Sequence, residues 1–330
     1  MKKRYWIAGI SASALAFVAA KLWLRPRDVD WEKNREAVFH ADYSRFAEVD
    51  GVRVHYQEAG RSDAPPMILI HGFASSNLVW SKVLLELAAA GFRVIAPDLP
   101  GYGYSGKPRD LDYTIASQAR IIIGLLEQLG IERAAIVGSS YGGAVAATIA
   151  LDHPELVEKL VLVGAVTNNK PTRYLLMRLF GSPIIGDVIS PLLVGSRRLL
   201  RSRMKRVYDR HEWVLDERRV NARHLPLQTR GTHRAIIRTV RRWDADRVSR
   251  DAHLINLPTL VLWGDADREV PLEHGEELQE KLPNSQMFVF RECGHLPHEE
   301  YPEAFTKVVT EFLSDITSGD ASRVPLHPNP

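Results

Sequence analysis

A serine, an acid and a histidine can together carry out acyl transfer, and this chain offers them at Ser140, at Asp265 or Asp267, and at His295. A serine hydroxyl is a weak nucleophile at neutral pH. It needs a histidine to take its proton and a carboxylate to orient that histidine. Ser140 stands in Gly138-Ser139-Ser140-Tyr141-Gly142, with a glycine two places to either side. That spacing lets the backbone fold tightly enough to push the serine oxygen to the apex of a turn. Ser139 lacks the symmetric pair. His295 closes Arg291-Glu292-Cys293-Gly294-His295, and both acids lie in Gly264-Asp265-Ala266-Asp267. His298 is a rival base, without a glycine before it.

Three turns so far apart need a frame that joins them. Short unbroken apolar runs at 66–70, 92–96, 134–137, 160–163, 257–263 and 286–290 read as strands buried on both faces. Helical periodicity fills 78–90, 115–129, 143–151, 272–282 and 302–313 between them. Asp50-Gly51, between alternating runs at 46–49 and 52–57, reads as a hairpin. The alternation predicts a mostly parallel, doubly wound α/β sheet. Each candidate turn follows the carboxyl end of a strand, and in a parallel sheet those ends share one edge.

Other motifs lead away from chemistry. Gly101, Gly103 and Gly106 satisfy a dinucleotide glycine pattern but do not open a helix from a strand, and Pro108 stands where a phosphate-binding loop needs Ser or Thr. His295-x-x-His298-Glu299 has metal-like residues, yet Pro297 disfavours the helix such a site uses. The only cysteine, Cys293, excludes an internal disulfide and a multi-cysteine metal site. The chemistry sketched above requires no cofactor and no metal.

Composition is that of a globular protein, 45% hydrophobic and 25% charged. Residues 1–27 depart from it: Lys2, Lys3 and Arg4 precede an uncharged run, followed by Trp23, Arg25 and Arg27. The run is long enough to cross a bilayer if Lys21 reaches the interface, which predicts a single-pass amino-terminal anchor. A cleaved secretory signal ending at Val18-Ala19-Ala20, giving a secreted or periplasmic protein, is the alternative. Residues 28–45 read as a linker, 46–167 and 251–315 as the core, 168–250 as an inserted helical segment, and 316–330 as a flexible tail. From residue 196 to residue 250 there are seventeen Lys and Arg against six Asp and Glu, while the whole chain is only +3. A positive face of that kind suits either water or anionic membrane lipid. No aromatic stacking pattern accompanies the arginines, which speaks against nucleic acid.

Taken together, His71-Gly72-Phe73, the stretch from Asp98 to Ser105, the turn around Ser140, Gly264 to Asp267 with Pro271, and Gly294-His295 followed by Glu300 resemble the α/β-hydrolase superfamily. The resemblance covers residues 46–313. It implies the α/β-hydrolase fold with a helical lid at 168–250. It also implies Ser140 as nucleophile, His295 as base and Asp267, at the Gly-x-x-Asp spacing, as the orienting acid. The backbone N–H groups of Phe73 and Tyr141 are implied as the oxyanion hole, and Asp98 and Glu300 as structural residues. Serine at the turn argues against relatives that open epoxides or displace halide, which carry aspartate there.

The expected function is hydrolysis of carboxylic esters with apolar acyl groups by a membrane-associated lipase or esterase. Alternatives on the same triad are a hydrolase of carbon–carbon bonds in ring-cleavage products, a cofactor-free haloperoxidase or perhydrolase, and a ligand receptor without turnover. Carbon–carbon hydrolases resemble the chain around Cys293-Gly294-His295 but usually carry tryptophan next, where Leu296 stands. The sequence leaves oligomeric state undetermined.

Overall fold

The computed structural model describes residues 25–169, 181–182, 193–208 and 214–314. Eight strands form one sheet in the order β1-β2-β4-β3-β5-β6-β7-β8. They are β1 (Ser44–Val49), β2 (Val52–Ala59), β3 (Pro66–Ile70), β4 (Arg93–Pro97), β5 (Ala134–Ser139), β6 (Val157–Val163), β7 (Thr259–Gly264) and β8 (Ser285–Phe290). β1 and β2 form the antiparallel hairpin, β2 runs antiparallel to β4, and every pairing from β4 to β8 is parallel. The described helices are α1 (Trp31–Asn34), α2 (Leu84–Ala89), α3 (Ile115–Gln128), α4 (Tyr141–Asp152), α5 (Arg197–Val207), α6 (Glu217–Leu227), α7 (Arg230–Arg241), α8 (Asp246–Asp251), α9 (Leu272–Lys281), α10 (Pro297–Glu300) and α11 (Pro302–Ser314). The fold is the α/β-hydrolase fold, as the sequence predicts.

The unbroken apolar strands have a plain cause. Side chains alternate across a strand, and here both sides meet a core. Ile68, Ile70, Ile136, Leu160 and Leu162 join Ile121, Leu125 and Ile149 of α3 and α4 on one face. Met67, Leu69, Val137, Val161 and Val163 join Trp80, Leu84, Leu87, Phe305 and Val309 on the other. Each such side chain contributes about 1.5–3 kcal/mol by leaving water. The periodicity at 78–90 resolves into two pieces, a 3-10 turn over Asn77–Trp80 and then α2. The first piece is tied to the residue after β4, since the Asn77 amide donates to Asp98 Oδ1 at 2.7 Å.

The expectation of a membrane-associated protein with a single-pass amino-terminal anchor is corrected here. Residues 1–24, which carried it together with the cleaved-signal alternative, lie outside the described residues. Among the described residues no helix is long and apolar enough to cross a membrane. Arg25 and Arg27, which follow the uncharged run, lie against α7. The Arg25 guanidinium is 3.5 Å from His233 Nε2, and the carbonyls of Pro26 and Arg27 accept from the amides of Arg230 and Gly231, both at 3.0 Å. The following residues dock as well: Lys107 pairs with Asp28, and Trp31 packs on Phe46, His55 and Tyr104.

Asp98 ties this edge together. Its carboxylate accepts from His55 Nδ1 at 2.7 Å and from the amides of Asn77 and Tyr104, while His55 Nε2 lies 3.0 Å from Ser44 Oγ. His55 and Asp98 are fully buried. A Cβ on Gly103 would sit 2.1 Å from the Asp98 carboxylate, at φ +48°, so only glycine fits the loop that wraps it.

Candidate active site

The sheet order reverses direction between β3 and β4 on one side and β5 on the other, which opens a crevice at the carboxyl ends of β3 and β5. Ser140 leaves β5 there and starts α4. Its backbone is at φ 55°, ψ −120°, a strained conformation costing about 1–3 kcal/mol. Three bonds hold it: the Ser140 amide donates to Val163, and its carbonyl accepts from Gly143 and Val166. The flanking glycines are required by space. A Cβ on Gly142 would lie 2.3 Å from the Ile70 carbonyl, and one on Gly138 2.3 Å from the Gly142 carbonyl.

Asp267 and His295 follow β7 and β8. His295 Nδ1 lies 2.7 Å from Asp267 Oδ2, and Asp267 Oδ1 accepts from the amides of Glu269 and Val270 at 2.8 and 2.9 Å. Those two amides fix which oxygen faces the imidazole. Asp265 is placed elsewhere, against the Cys293 amide and Arg291. His298 is stacked on Trp80 with ring centroids 4.1 Å apart. Ser140 and His295 line one cavity of about 460 Å³.

Phe73 follows β3 and lines the same cavity. Tyr141 is the first residue of α4, so its N–H is among the amides that have no acceptor within the helix. The loop carrying Phe73 is fixed by His71, which is fully buried. The Leu99 amide donates to His71 Nε2 at 2.9 Å, which leaves Nδ1 to donate to the Gly72 carbonyl at 2.8 Å. Burial lowers that imidazole's pKa below the ordinary 6.5 and so favours its neutral form. Glu300 accepts from the Gly294 amide at 3.0 Å and so shapes the turn before His295.

Sequence reading missed the residues that close the cavity. Trp243, beyond the end of α7, packs its ring 5.5 Å from Phe73 and 5.2 Å from Tyr141. Met204, Val207 and Tyr208 supply another wall, together with Arg203, Arg206 and Arg223. No motif marks them, because their role depends on a segment folding back over the sheet. Ser139 Oγ also lines the cavity, buried and without a hydrogen-bond partner. Part of the basic stretch that suggested a lipid-facing surface is paired within the chain, buried at Arg219 and Arg223 and exposed at Arg197 and Arg201. Arg197 and Arg201 pair with Glu217, Arg219 and Arg223 with Glu299, and Arg247 with Asp152, while Arg238 donates to the carbonyls of Arg109 and Leu111. The apolar residues at 175–180 and 184–189, within the expected lid, lie outside the described residues.

Burial pushes the His295 imidazole towards neutrality, but the Asp267 carboxylate more than offsets it, and the net shift is upward from the ordinary 6.5. A base must be neutral to accept a proton, so a raised value moves the acidic limit of activity up. The acid limb of kcat/KM is expected above pH 6.5, and a pH–rate profile measures it directly. A limb well below that value would show that the Asp267 contact does not form in solution.

The chain matches the α/β hydrolase fold family over residues 65–183 and 200–302. It is 32% identical over 269 residues to the uncharacterized hydrolase YugF of Bacillus subtilis (strain 168), covering 80% of this chain and 96% of that one. It is 31% identical over 281 residues to a 2-hydroxy-6-oxo-6-phenylhexa-2,4-dienoate hydrolase of Burkholderia cepacia, covering 80% and 92%. A crystal structure of a meta-cleavage product hydrolase from Pseudomonas fluorescens IP01 superposes with a TM-score of 0.71 at 27% identity, covering 82% and 97%. The expectation of a lipase is corrected by these relatives, two of which carry names for the alternative, carbon–carbon hydrolysis. Sequence profile, fold and relatives agree: the chain belongs to the α/β-hydrolase fold family and is a hydrolase.

Proposed function

We propose that this chain is a serine hydrolase that cleaves the carbon–carbon bond beside a ketone in ring-cleavage products. The observation that carries the reading is the cavity: Ser140 and His295 face a space lined by apolar side chains such as Phe73, Val166 and Trp243 and by Arg203 and Arg206. A dienoate with a 6-oxo group has the matching parts, an apolar body and a carboxylate. Relatives at 31% identity bear names for this activity, which adds support.

In this mechanism the dienol first takes its keto form, leaving a saturated carbon between the 6-carbonyl and the conjugated remainder. Ser140 Oγ adds to the carbonyl carbon while His295 takes its proton and Asp267 steadies the imidazolium. The N–H groups of Phe73 and Tyr141 receive the oxyanion, a contribution of about 3 kcal/mol per donor. The carbon–carbon bond then breaks, its electron pair passes into the conjugated enolate, and His295 returns the proton. Water, deprotonated by His295, hydrolyses the acyl-serine and releases the acid. Residues 168–250 act as the lid over these steps.

Leu296 favours a second reading. It packs with Met204, Tyr208 and Val214 where carbon–carbon hydrolases usually carry tryptophan, and the same acyl-enzyme serves carboxylic esters. One comparison separates the two. A chromogenic 2-hydroxy-6-oxo-dienoate is expected to bleach with a kcat/KM about 100-fold or more above that for p-nitrophenyl esters, a difference of transition-state binding near 3 kcal/mol. Ester turnover without bleaching would reverse the order.

A further inference from the structure

We propose that Glu299 is a positioning residue for His295, acting through Tyr208 and Arg223. The short turn that carries His295 is fastened to the segment between β6 and β7 at both of its ends. At one end the His295 amide donates to the Val207 carbonyl at 2.9 Å. At the other, the fully buried Glu299 carboxylate accepts from the Tyr208 hydroxyl, from Arg223 on both oxygens and from Arg219 at 3.1 Å. Arg223 also donates to the Tyr208 oxygen at 2.8 Å, and Lys82 Nζ to the Glu299 carbonyl at 2.9 Å. Consecutive residues 207 and 208 thus grip 295 and 299, while Val207, Tyr208, Arg223 and His295 line the cavity together.

Cohesion alone does not explain such a cluster. One carboxylate meets two guanidiniums whose side chains are only 6% and 12% exposed. Apolar side chains of similar volume would hold two elements together as well or better, because burying ions carries a large desolvation cost. What charge-assisted hydrogen bonds add is direction, here with Nη2 of Arg223 shared between Glu299 and Tyr208. Here the direction fixed is that of the turn bearing the imidazole, relative to the wall against which substrate must lie. Small displacements of a base cost rate steeply.

The inference rests on the proposed roles of Ser140 and His295, but not on which bond is cleaved. It is tested by the rate at which a small fluorophosphonate labels wild type, Tyr208→Phe, Glu299→Gln and the double variant, with thermal melts and steady-state kinetics alongside. Tyr208→Phe keeps every charge and loses one hydroxyl, so it is the informative variant if Glu299→Gln does not fold. It is expected to label about tenfold more slowly, with kcat reduced more than KM is changed. Glu299→Gln, if folded, should be slower still, and the double variant no slower than Glu299→Gln. Wild-type labelling of Tyr208→Phe, or losses that multiply in the double variant, would overturn the role of Glu299 and leave the proposed nucleophile standing. Equal labelling of Ser140→Ala and wild type would instead sink the nucleophile, and this inference with it.

Discussion

Ser140→Ala is expected to lower kcat by about 10⁶-fold without unfolding the protein. The Cβ is retained, so the strained backbone at φ 55° and its three hydrogen bonds face no new demand. Only the oxygen that would attack is lost. Aligned binding and the amides at the head of α4 should still leave residual turnover of about 10³–10⁴ over the uncatalysed reaction. Release of the carboxylic acid in a single turnover measures the loss, since the chromophore already bleaches at the keto step, and a thermal melt shows that the fold survives. A variant retaining more than about one part in 10³ of wild-type kcat would mean that the serine is not the nucleophile.

Asp267→Asn is expected to cost about 10⁴-fold in kcat, and the hydrogen bonds around it give the reason. Asp267 Oδ1 accepts two backbone amides, from Glu269 and Val270. In the asparagine variant the amide oxygen must keep that place, which turns the NH2 towards His295 Nδ1. Nδ1 then has to accept, the ring proton moves to Nε2, and Nε2 can no longer take the serine proton. The same change removes the carboxylate that raises the imidazole, so burial prevails and the acid limb moves to lower pH. A large loss of kcat joined to a downward shift of the limb is the expected pair. A loss without the shift would point to misfolding, and a shift without the loss would deny the tautomer argument.

The parts legible in the sequence are those whose cause is local. Glycines spaced about Ser140 encode a backbone that nothing bulkier can follow, as the 2.3 Å approach at Gly142 shows. Strand β5 reads as an apolar run because both of its faces are buried. Two acids in one turn are separable in the sequence only by resemblance, whereas in the fold Asp267 bonds His295 and Asp265 the Cys293 amide. Arg219 and Arg223 of α6 count towards a charged face in the sequence because it shows their number and not their partner. Glu299, which they surround, lies 76 residues from Arg223. The amino-terminal reading failed in the same way, since Arg25 and Arg27 find contacts on α7, more than two hundred residues away.

The clamp at the edge of the sheet bears on how catalysts are found by shape. Ser44, His55 and Asp98 touch one another in the same succession as a hydrolytic triad, at 3.0 and 2.7 Å. A template search that scores three side chains and no surroundings would therefore return this trio, although the proposed catalyst is Ser140, His295 and Asp267. The rings of Trp31, Phe46 and Tyr104 are packed around the imidazole of the first, whereas the second faces open space beside a helix start. Vacant volume and unclaimed amides, more than the trio itself, are what such a template has to encode.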